Sequence, residues 1–85
     1  MQELSPHLKR MVDANVSGLD IMHGELKNLS LMAEQELTKA QVKEDKSEEA
    51  MDSMERRYWE GVLDTYVELY GLTYQLSFAI GEKNA

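Results

Sequence analysis

The chain has 85 residues, no cysteine, and a net charge of −7 from sixteen acidic and nine basic residues. That length allows one domain with a modest core, which neither a disulfide framework nor a zinc–thiolate site can brace. The densest cationic pairs, Lys9-Arg10 and Arg56-Arg57, are too sparse to neutralise a phosphate backbone, so direct nucleic-acid binding is disfavoured.

With one proline, five glycines and 42% apolar residues, the composition is neither disordered nor loop-rich. Stability then has to come from helix packing, including packing between chains. At the N-terminus Leu4-Ser5-Pro6-His7 interrupts any apolar run, so no signal peptide is expected. Ser5 is instead a good N-cap, and Pro6 suits the first helical position, where its missing N–H costs nothing.

From there Val12, Leu19, Leu26, Ala33 and Ala40 recur every seven residues, with Met22 and Leu29 at intervening positions and Val16 and Leu37 widening the stripe. This pattern predicts one amphipathic helix over residues 6–41. Its weak point is Asn15-Val16-Ser17-Gly18, where poor helix formers adjoin and a kink or short break is expected at residues 15–18.

Residues 43–49, Lys-Glu-Asp-Lys-Ser-Glu-Glu, have no apolar member. They predict a turn at about 43–47; Asp45 with Glu48 matches a capping box, and Ser47 before two glutamates offers a second helix start. No glycine closes the first helix, so a continuous long helix is the alternative.

The second helix is expected over residues 48–80. Val62, Leu69 and Leu76 form one seven-residue row; Tyr66, Thr73 and Ile80 form another. All six aromatic residues lie here, and Tyr66, Tyr70, Tyr74 and Phe78 repeat every fourth position, extended backwards by Val62 and Tyr58. At 100° per residue this ladder winds roughly 200° around the helix, whereas one partner helix covers a stripe of about 100–140°. Part of the ladder must therefore meet something else. Asp64, Glu68 and Gln75 interrupt residues 62–80, which argues against a membrane span and for a cytoplasmic protein.

Folding back at about residue 44 places Gly18 near Gly71 and Gly24 near Gly61, which suggests close backbone approach or aromatic rings lying over bare helix, the alternative being that each glycine is merely tolerated. The expected fold is all-α: an antiparallel helical hairpin that assembles into a four-helix-bundle dimer or a higher oligomer. The expected function is non-catalytic protein binding. Its candidate contacts are Trp59, Tyr66, Tyr70 and Tyr74, rimmed by Arg56 and Arg57.

No catalytic residue, metal ligand or cofactor is assigned. No serine sits in a strained turn beside a histidine, and the isolated glycines form no phosphate loop. Asp20-Ile21-Met22-His23 has the carboxylate-x-x-His spacing of two-helix di-iron sites, with Asp64 and Glu68 opposite on folding back. A half-ferritin-like metal hairpin is therefore an alternative, although Asp20 lies off the apolar stripe. The six methionines read as core fillers or as a malleable binding face. Acidic residues interspersed with lysines argue against nucleic-acid mimicry.

The run Glu55-Arg56-Arg57-Tyr58-Trp59-Glu60-Gly61, followed by residues 69–80 (Leu-Tyr-Gly-Leu-Thr-Tyr-Gln-Leu-Ser-Phe-Ala-Ile), resembles short helical proteins encoded by bacteriophages and prophages. The resemblance covers about a third of the chain. It implies an accessory role, binding and modulating a host or phage protein. Arg57-Tyr58-x-Glu60, Leu63-Asp64 and Leu72-Thr73, with His23 upstream, are similar to the TraM quorum-sensing antiactivators. That similarity implies a helical dimer sequestering a LuxR-type regulator. Tyr66-Val67-Glu68 stands where that family carries His-Ala-Gln, so no binding residue is carried over.

Overall fold

The structure, a computed structural model, describes residues 3–46 and 50–84. Its described residues form three helices and no strand: α1 (Pro6–Asp13), α2 (Gly18–Lys46) and α3 (Ala50–Lys83). Helix α1 begins as its sequence dictates. Ser5 is extended, and its Oγ accepts a hydrogen bond from the Leu8 N–H at 3.3 Å, with Pro6 opening the helix.

The expected helix over 6–41 is interrupted at its weak point, by a break between Asp13 and Gly18 and not a kink within one helix, the second of the two outcomes expected there. Asn15 adopts a left-handed φ of 62°. The Val16 N–H donates to the Met11 carbonyl and the Asn15 N–H to the Val12 carbonyl. These are the two bonds of a Schellman closure, with half-buried Val16 and Met11 as its apolar pair. Ser17 then caps α2 by accepting from the Asp20 N–H at 3.2 Å. Stop and start signals, Asn15 and Ser17, thus lie two residues apart, and α1 folds back until Leu8 shares an apolar hollow with Ile21, Met22 and Leu29.

Asparagine tolerates the left-handed region, whereas a β-branched residue there costs roughly 1–2 kcal/mol. Asn15→Val is therefore expected to loosen α1, seen as faster amide exchange over residues 6–16 with residues 26–40 unchanged. Asn15→Gly is expected to leave that exchange unchanged or slower.

Helices α2 and α3 pair antiparallel. His23 meets Thr73, Lys43 meets Glu55, and Glu44 meets Arg56. Opposed residue numbers therefore sum to about 97, not the 88 that a turn near residue 44 requires. The physical reason is that Lys43–Lys46 continue α2; good helix formers need no apolar neighbour to stay helical. Asp45, expected as the N-cap of a capping box, therefore lies inside α2 and starts no helix, while the second expected start, at Ser47, lies outside the described residues. At its far end α3 runs past residue 80 to Lys83.

This register separates the glycines that were expected to face each other. Gly18 lies opposite residue 79 rather than Gly71, and, its own local helix backbone and chain neighbours aside, no glycine has a heavy atom within 4 Å of where a Cβ would stand. The glycines are tolerated, not used for close approach.

The core is small. Leu26, Ala33 and Ala40 are buried, three steps of the predicted seven-residue row, and Thr73 joins them from α3. Ala33 lies opposite the turn from Leu63 to Tyr66, and Ala40 opposite that from Arg56 to Trp59. Small residues on α2 thus leave room for large ones on α3. The methionines are not core fillers: Met22, Met32 and Met54 are exposed and Met11 is half-buried. Met1 and the side chain of Met51 lie outside the described residues.

Candidate protein-binding surface

Helix α3 carries its apolar residues in rows that alternate steps of three and four, the spacing of a helix that supercoils against a neighbour. The first row, Arg56, Trp59, Leu63, Tyr66, Tyr70, Thr73 and Ser77, is buried or half-buried throughout. This row faces α2. The second, Tyr58, Val62, Thr65, Leu69, Leu72, Leu76 and Ala79, is exposed at every position but Val62. It lies about 100° around the helix from the first. Val67, Tyr74 and Phe78, on the other flank, are also exposed.

The four-residue ladder crosses all three territories. Tyr66 and Tyr70, in its middle, meet α2, while Tyr58, Tyr74 and Phe78 are each more than 60% exposed. The six candidate contacts therefore divide. Trp59, Tyr66 and Tyr70 belong to the intramolecular seam, Trp59 packing edge-on to Tyr58 at 5.1 Å. Tyr74 and Arg57 are exposed.

Arg56 is engaged within the hairpin. Its Nε donates to Glu44 across the helices, and its Nη1 donates to Glu60 one turn along α3 at 2.7 Å. Hydrogen bonding to Glu60, then to Glu44, raises its pKa above an already very high ordinary value. A raised folded-state pKa contributes stability that is present below the unfolded value and lost only above it. The guanidinium thus stays charged at every pH at which proteins fold, and Arg56 latches the turn end.

At the other end stands a cluster not read from sequence. His23 stacks on Tyr70 with ring centroids 4.3 Å apart and planes at 20°. Its Nδ1 lies 2.7 Å from Thr73 Oγ1, and that hydroxyl donates to the Tyr70 carbonyl at 3.0 Å. The hydroxyl has one proton; directed at the carbonyl, it accepts from Nδ1–H, which selects that tautomer. The cluster is a packed polar seal on the open end of the hairpin. With the register at 97, Asp64 and Glu68 move away from Asp20 and His23, and no metal-holding group of three donors occurs among the described residues.

No helix among the described residues is long and apolar enough to cross a membrane. No protein family, curated protein or solved structure matches the chain.

Proposed function

We propose that this chain is a non-catalytic protein-interaction module that self-associates, most simply as a dimer, and binds a second protein through apolar surface left over. One observation supports this reading. Among the described residues, fifteen large hydrophobic side chains are exposed, against three buried hydrophobic residues. The accessible surface is 6877 Å², roughly 1,700 Å² more than the ~5,200 Å² of a compact monomer of this mass. The radius of gyration, 16.9 Å, exceeds the ~12 Å of a compact chain this long.

Contiguous rows of exposed large apolar side chains mark interaction sites. A stable partner covers about 800 Å² on each side, so one contact leaves area for another. Val67, Tyr74 and Phe78, with Leu31 of α2 beside Val67, supply that second face. Adjacent aromatic and aliphatic side chains there suit the apolar stripe of a foreign helix. An accessory role modulating a host or phage protein fits such a module, as does sequestration of a regulator.

Light scattering at micromolar concentration is expected to give twice the 9.8 kDa chain mass. A well-folded 9.8 kDa species would overturn the self-association.

A further inference from the structure

We infer that the row from Tyr58 to Ala79 is the seam through which two copies of this chain pair, α3 against α3, running antiparallel. This rests on the self-association proposed above and adds which face does it and in which direction. Four observations carry it.

The row is apolar or neutral from end to end, and it lies about 100° from the row that packs on α2. That is the angle at which a bundle helix meets two neighbours at once. Helix α2 cannot supply an equivalent surface. Its matching row lies on the same side of the hairpin, because Lys43 of that row meets Glu55 of the α3 row at 3.4 Å. In its first half, Leu8 of α1 sits against Met22 and Leu29. In its second half stand Glu36, Lys39 and Lys43. Among the described residues, only α3 offers a long exposed row without a charged side chain.

The total surface exceeds that of a compact monomer by roughly 1,700 Å², about twice the ~800 Å² that each partner in a standard interface buries. A second copy can therefore be seated without recruiting the Val67–Phe78 flank.

Charge sets the direction. Continued by its own three–four alternation, the seam ends in Glu55 at one side and Lys83 at the other. A parallel pair sets Glu55 against Glu55 and Lys83 against Lys83. An antiparallel pair brings Glu55 within about one helical turn of Lys83 of the second copy, at both ends. The neutral centre tolerates either direction, so the ends decide.

The test combines mass with one distance. Light scattering on the wild type is expected to report a dimer. Leu69→Glu and Leu72→Glu replace side chains already exposed in the hairpin (42% and 51%), so circular dichroism should stay helical while the dimer Kd rises about 100-fold or more. Gln35→Glu/Gln41→Glu, matched in added charge but off the seam, is expected to remain dimeric. Because the chain has no cysteine, Asn84→Cys takes a single spin label outside the seam. An antiparallel pair separates the two labels by about 40–50 Å; a parallel one holds them within about 20 Å. A short label distance overturns the antiparallel arrangement. Dimeric seam variants beside a dimeric wild type overturn the seam but leave self-association standing. A monomeric wild type overturns both, including where a foreign helix is then found to take the seam.

Discussion

Ala33→Glu is expected to abolish the folded hairpin. Ala33 has no accessible surface at all and sits where α2 crosses the span from Leu63 to Tyr66. A carboxylate there loses its hydration and finds no cation, a burial that costs several kcal/mol even after relaxation. Small domains hold only about 5–15 kcal/mol in total, and this one has few buried apolar groups to offset the loss. The measurement is far-ultraviolet circular dichroism during thermal unfolding, with loss of a cooperative transition as the expected result. Gln35→Glu, two residues along and exposed, should shift stability by less than about 0.5 kcal/mol. Ala33→Leu separates charge from volume: it keeps the site apolar and should cost about 1–3 kcal/mol by overpacking. A cooperative, wild-type-like melt of Ala33→Glu would mean that the two helices do not pack along this row.

The unfolding midpoint is expected to rise with protein concentration. When folding and association are linked, each hundredfold increase in concentration favours the assembled state by about 2.7 kcal/mol. For a dimer of this size that corresponds to roughly 5–10 °C in Tm. A lone hairpin shows no such dependence. Scanning calorimetry at low and high concentration therefore tests whether the exposed apolar rows are covered in solution. A midpoint constant across that range would show that the hairpin stands without a second copy.

The helical class, the Ser5-Pro6 start and the row through Leu26, Ala33 and Ala40 were legible because each rests on local chemistry or on a period shorter than any register error. The break near Asn15 was legible as a weak point but not as a reversal. Closing a helix through a left-handed asparagine is a backbone event that composition only hints at. The turn was misplaced by about four residues because a stretch without apolar residues looks like a loop, although lysine and glutamate are good helix formers. That small slip moved every cross-helix pairing by nine, hiding the His23–Tyr70–Thr73 cluster and inventing two glycine contacts. The candidate surface suffered from a related choice. Steps of four alone join residues that face α2 with residues that do not, whereas alternating three and four resolves the rows. Both patterns were present in the same residues.

The fold-back of α1 makes the molecule thick at one end and thin at the other. Three helices lie side by side where Leu8 rests on α2, and only two continue to the Arg56 latch. Bodies of uneven girth stack with least wasted volume when the broad part of each lies beside the narrow part of the next. Nesting side by side in the same sense would instead crowd the two N-terminal flaps against each other. Should two copies pair as proposed, a short helix that adds little to the core would govern how they nest, through bulk alone.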